Sequence, residues 1–220
     1  MSLQSSGGSL DWLQKRVPTI LAGFSPPFIL GGGGALAIHL GHRTTRGFDL
    51  FWEDADSLDD RSRVIRQRLS GAGPSVSPIQ ESPGFVRFRV AYEGSAINLD
   101  LISDPTDRLE RPAPVLIADA EVRTESLRDL LVNKVCTLLS RAEIRDLIDV
   151  EALSAHGLSL DDAIASAPRK DGGFSTLTLA WVLRNFDVHT AAAAAGLPSA
   201  DAARLDRFRL DLIERLATPE

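Results

Sequence analysis

The chain has 220 residues, 44% apolar and 25% charged, which suits one large domain or two small ones and excludes disordered and fibrous classes. Its net charge of −6 argues against a surface coated in phosphate contacts, although a local basic patch could still meet RNA or a nucleotide. A single cysteine, Cys136, rules out an internal disulfide. No signal-peptide pattern opens the chain and no apolar run reaches bilayer length, so a cytoplasmic protein without a membrane partner is expected.

Residues 1–10 are rich in Ser and Gly and read as a frayed N-terminus, followed by a helix over Leu10–Leu21 that is interrupted or bent near Pro18. Phe28-Ile29-Leu30 reads as a short strand. The run Gly31-Gly32-Gly33-Gly34 follows as a turn, and Ala35–His42 as a helix. Gly47–Trp52 reads as a strand around Asp49, and Asp56–Leu69 as an amphipathic helix. Phe85–Tyr92 and Ala96–Ile102 alternate with period two, and Glu93-Gly94-Ser95 between them suits a hairpin. Asp104–Pro114 is a Pro-rich, charged connection, and Val115–Val122 reads as one last strand.

Beyond it the pattern is helical. Ser126 and Asp129 resemble a capping box that opens a helix through Leu138. Further helices are expected over Glu143–Leu153, Leu160–Ala167, Leu177–Phe186 and Asp201–Ala217, and Ala191–Ala195 is a short alanine run. Strands first and helices last predict an α+β architecture. The expected division is an α/β core over 11–123 and a helical region over 124–220.

The chemistry centres on the glycines and on two aspartates. A glycine run between strand and helix lets the backbone approach a ligand and aim N–H groups at phosphate oxygens; a tight strand-to-helix turn is the alternative. Neither a P-loop nor a dinucleotide fingerprint fits, because no Gly-Lys-Ser/Thr follows and Leu36 stands where a third glycine belongs. Asp49 and Asp100 are each framed by apolar strand residues, which is costly unless a cation meets them. Carboxylates converging from adjacent strands are how Mg²⁺ is held beside nucleotide phosphates.

The segment Phe28–Phe51, with Gly32, Gly33, Gly34, Arg43 and Asp49, resembles the first motif of the AbiEii/AbiGii-type nucleotidyltransferases of the DNA polymerase β superfamily. Ala96–Ile102 is similar to the strand carrying that family's third carboxylate. Asp129-Leu-Leu-Val-Asn-Lys134 is similar to its Asp-x₄-Lys helix, and Arg145-Asp-Leu-Ile-Asp149 to its Arg-Asp-x-x-Asp signature.

The resemblance implies a polymerase β-like mixed sheet with flanking helices and a C-terminal helical bundle. It further implies a nucleoside triphosphate donor, Mg²⁺ or Mn²⁺ as cofactor, transfer of a nucleotide to RNA (tRNA included) or protein, and a toxin role with a cognate antitoxin. Asp49, Asp100 and Lys134 are then the catalytic group, with Asp49 and Asp100 on the metal. Gly32, Gly33, Gly34, Arg43, Lys134, Arg145, Asp146 and Asp149 hold the nucleotide, with Arg43 facing either the phosphates or Asp49, and Asp146 and Asp149 equally open to orienting Lys134, acting as a base, or helix-surface ion pairing.

The family pattern breaks at one position. Counting past the thirteen residues 34–46 puts the first aspartate of Asp-x-Asp at position 47, which is glycine. Asp49 matches the second, and Glu53 and Asp54 cannot replace the first without a shift of the strand. Gly34 stands where relatives often carry Ser or Thr. The alternative reading is therefore a catalytically impaired nucleotide-binding or partner-binding protein of the same fold. His39 and His42, three apart on the helix, lack the further ligands a zinc site needs. Lys134, Arg141 and Arg145 would form a cationic stripe if they shared one continuous helix.

Overall fold

The computed structural model describes residues 12–54 and 57–217. The stretch read as a frayed N-terminus lies outside them. The chain divides into two compact units, one ending at Ser126 and one beginning at Leu127.

The first unit is a seven-stranded mixed sheet in the order β3-β4-β5-β2-β1-β7-β6. In chain order it contains α1 (Trp12–Leu21), β1 (Ile29–Gly31), α2 (Gly32–Leu40), β2 (Gly47–Trp52) and α3 (Asp59–Gly71). There follow β3 (Ser75–Ser82), β4 (Phe85–Tyr92), β5 (Ser95–Ser103), β6 (Ala113–Ile117) and β7 (Ala120–Thr124). Strand β2 runs antiparallel to β1 and parallel to β5, and β1 runs parallel to β7.

Alternation sets the two faces. On β2 the residues Phe48, Leu50 and Trp52 are buried, while Gly47, Asp49 and Phe51 are only partly covered. The same alternation on β4 buries Val86, Phe88 and Val90 and turns Phe85, Arg87 and Arg89 to the other face. The β4–β5 hairpin forms as expected, with Tyr92 opposite Ser95.

Three elements differ from expectation. Helix α2 begins at Gly32, not Ala35, so the glycines are its first turn; it ends at Gly41, which caps it in the left-handed conformation. The last expected strand folds as a hairpin, β6 and β7, because the chain reverses at Ala118 with φ +54°. Strand β3 was not expected: it is polar, carries Pro78 beside a register shift, and is almost wholly exposed, as suits an edge.

The second unit is helical: α4 (Leu127–Ser140), α5 (Ile144–Ala155), α6 (Leu160–Lys170), α7 (Thr176–Arg184), α8 (Val188–Ala194) and α9 (Ser199–Ala217). Helix α4 packs on α5, α6 and α7, and α9 packs on α7 and α8. Ser159, Ser175 and Asp187 cap three helices by accepting from Asp162, Thr178 and Thr190 N–H groups. Helix α8 falls on the alanine run, where only Val188 and Ala192 are buried and no apolar stripe announces a helix. Asp129, read as half of a capping box, is buried and carries an ion pair of 2.8 Å with Lys170, whose side chain is 7% exposed. No described helix is long and apolar enough to cross a membrane.

Candidate functional site

Register brings the first unit's polar residues into rows. Arg87 on β4 pairs with Asp100 on β5, Asp100 with Asp49 on β2, and Asp49 with Gly31 on β1. Paired residues on adjacent strands share a face, so Arg87, Asp100, Asp49 and Gly31 form one row across four strands. Two residues along, Arg89, Asn98 and Gly47 form the next row on the same face.

The Arg87 guanidinium grips Asp100 with both arms, Nε to Oδ1 at 2.7 Å and Nη2 to Oδ2 at 2.5 Å. Asp100 is buried, and Arg87 also lies 5.4 Å from the Phe85 ring centroid. The hydrogen bonds to Asp100 raise the Arg87 pKa above its ordinary value despite burial, with the charges of Asp100 and Asp49 adding to the effect.

The glycine run packs against this row. Gly32 has φ +58°, and a Cβ there would overlap the Asp49 carboxylate. The first turn of α2 therefore meets an anion at its positive end, where N–H groups have no intrahelical partner. A Cβ at Gly33 would lie 2.9 Å from Arg43 Nη2, so that guanidinium lies over the same turn. At Gly34 a Cβ would overlap the Phe48 ring and reach within 3.0 Å of the Gly47 carbonyl oxygen.

Gly47 has the same character. A Cβ there would overlap the Asn98 carbonyl oxygen and lie 3.0 Å from its carbon. The two departures from the family pattern are thus physically linked. Glycine at 34 lets α2 press on β2, and glycine at 47 lets β2 press on β5.

This geometry tests the two-ion centre implied by the resemblance, and the donor set does not fit it. One carboxylate is absent, the backbone leaves no room for a side chain in its place, and both oxygens of Asp100 are engaged by Arg87. The nearby acids are engaged too. Asp54 forms a two-armed pair with Arg61 at 2.6 Å, and Glu53 accepts from Arg108 at 2.9 Å. His39 meets Thr124 Oγ1 at 2.9 Å, and no trio of His, Cys, Asp or Glu among the described residues could hold a metal.

The other expected site residues belong to the second unit. Lys134 is buried there, with its ammonium 2.8 Å from both Asp146 Oδ1 and Asp149 Oδ2, two carboxylates with no exposed surface. Arg141 adds bonds of 2.8 and 3.0 Å to Asp146. Burial, the largest influence, pushes the Asp146 pKa up, but the Arg141 bonds and the Lys134 charge together leave it lowered. The single-helix cationic stripe does not form, because α4 ends at Ser140 and the chain turns through Ala142 at φ +44°. Arg145 pairs with Glu143 at 2.5 Å and is partly exposed.

Arg87 was missed in the sequence, although the signal was there. The Glu93-Gly94 turn fixes the hairpin register, and that register puts Arg87 opposite Asp100. Alternation alone drew attention to the carboxylate and not to its partner.

A mixed sheet with a glycine-initiated helix beside an acidic strand pair is the nucleotidyltransferase fold. The chain belongs to the nucleotidyl transferase AbiEii toxin family of type IV toxin–antitoxin systems, whose family model matches residues 19–218. Among solved structures it is similar to MenT4, a nucleotidyltransferase toxin of Mycobacterium tuberculosis, at 14% identity and TM-score 0.66, covering 91% of this chain and 81% of that one. JHP933 of Helicobacter pylori is 17% identical with TM-score 0.54, covering 94% and 95%. An antigenic nucleotidyltransferase-like protein of Paracoccidioides brasiliensis is 16% identical with TM-score 0.51, covering 76% and 91%. These likenesses establish the shared fold. None of the curated proteins compared matches the chain.

Proposed function

We propose that this protein is a member of the toxin family that binds a nucleoside triphosphate well and transfers its nucleotide poorly. The triphosphate would lie at the first turn of α2, with the N–H groups of Gly32–Gly34 and the Arg43 guanidinium as its donors. The observation carrying the second half of the reading is Gly47, where an added Cβ would overlap the Asn98 carbonyl, so that a carboxylate enters only if the strands part.

Family membership supports the rest: a nucleotide acceptor that is RNA, tRNA included, or protein, a cognate antitoxin, and action in the cytoplasm. Lys134, which the family resemblance places on the nucleotide, is assigned here to holding α4 on α5, because its charge is shared between two buried carboxylates. Asp146 and Asp149 join it in that framework, whereas Arg145 pairs with Glu143.

Calorimetric titration with ATP and GTP tests the binding half. Wild type is expected to bind at least one of them, and Arg43→Ala to bind about tenfold more weakly, a loss of about 1.4 kcal/mol. Equal affinity in the two proteins would remove Arg43 and the glycine turn from the site.

A further inference from the structure

We propose that Arg87 is the resident cation of the carboxylate row, occupying the place on Asp100 that a divalent metal ion would otherwise take, so that the row binds no metal while Arg87 is present. The inference rests on the nucleotide-site reading above only in sharing its location.

Three observations carry it. Arg87 meets Asp100 through both of its oxygens, at 2.7 and 2.5 Å, the planar two-armed match that a guanidinium makes best. The pair is built in by register: Arg87 and Asp100 face each other across the β4–β5 hairpin, and Asp49 is next in the same row. The Phe85 ring beside the guanidinium further restrains it.

Charge balance points the same way. On this face the carboxylates of Asp49 and Asp100 share the sheet with Arg87 and Arg89, and the position that should add a third carboxylate is Gly47. A divalent ion would need several anionic oxygens acting together. With Arg87 already fixed on Asp100, an entering metal would have to displace that guanidinium and then sit beside its charge. Removing that guanidinium should open the row to metal.

Titration of the full chain with Mn²⁺ alone, followed by electron paramagnetic resonance, tests this without nucleotide. Wild type is expected to show no site that Asp100→Asn alters. Arg87→Gln should gain one Mn²⁺ site at least tenfold tighter than any wild-type binding, and Arg87→Gln/Asp100→Asn should lose it. Wild-type Mn²⁺ binding that Asp100→Asn abolishes would overturn the proposal, and so would Arg87→Gln binding no better than wild type. The wild-type and Asp100→Asn comparison decides the matter even if Arg87→Gln does not fold. Because the probe is metal alone, this inference can fail while nucleotide binding stands, and the reverse.

Discussion

Replacing Gly47 by alanine puts the close approach of β2 and β5 to a quantitative test. A glycine in a strand is normally a weakness, and filling it with alanine in an open position should stabilise by about 0.5–1 kcal/mol through lost unfolded-state freedom. Here the new Cβ would overlap the Asn98 carbonyl oxygen and sit 3.0 Å from its carbon and 3.2 Å from Asn98 Cβ, against an ordinary carbon–carbon contact of about 3.5–4.0 Å. Backbone atoms cannot rotate aside as a side chain can, so the strands must part. Overpacking of this kind costs about 1–3 kcal/mol, which outweighs the gain and leaves a net loss of about 1–2 kcal/mol. For a chain of this size that is a fall of about 2–8 °C in melting temperature. Thermal unfolding followed by circular dichroism reads it directly. A Gly47→Ala protein that melts above wild type would show the position to be open and would refute the argument from close approach.

Other outcomes follow from the same geometry. Gly32→Ala should destabilise more than Gly33→Ala in the same melts, since position 32 combines φ +58° with overlap on Asp49, whereas position 33 meets only the movable end of Arg43. Lys134→Met should cost about 3–5 kcal/mol in urea denaturation by removing the cation shared by two buried carboxylates, while Arg145→Ala, on a partly exposed pair, should cost less than about 1 kcal/mol. Because the folded-state pKa of Asp146 is lowered, its contribution to stability is present above about pH 4, its unfolded value, and is lost as pH falls through the folded value. Urea unfolding between pH 7 and pH 3 should therefore steepen below pH 4 in wild type and flatten in Asp146→Asn. Burial pushes the Cys136 thiol up to about 11, so it should resist a thiol reagent at pH 8 in the native protein and react once urea unfolds it.

Much of the first unit was legible because its strands alternate. The period-two pattern of β4 and β5 and the apolar frame of Asp49 fixed faces, hairpin and the acidic row, and the helices of the second unit, α8 apart, followed from the helical composition beyond residue 123. What escaped lacked those signals. Strand β3 buries almost nothing and so shows no alternation, α8 presents alanines without a stripe, and the reversal at Ala118-Asp119 puts an alanine, not Gly or Asn, at its positive-φ position. Within the site, the sequence marked Gly47 as a missing carboxylate. It could not tell that the backbone had closed on that position, because closeness of approach is a property of the packed strands. The sequence offered Asp146 and Asp149 as groups that could orient Lys134 among other readings, and packing commits the lysine to both.

The central claim, good nucleotide binding with poor transfer, is tested most directly by incubating the protein with labelled nucleoside triphosphates, Mg²⁺ or Mn²⁺ and total RNA, beside Asp49→Ala, Asp100→Asn and Gly47→Asp. Wild type is expected to bind label reversibly with little or none joined covalently to RNA or protein, and Gly47→Asp, whose side chain has no room beside Asn98, to gain nothing. Robust covalent labelling by wild type that Asp49→Ala and Asp100→Asn each abolish would contradict the claim.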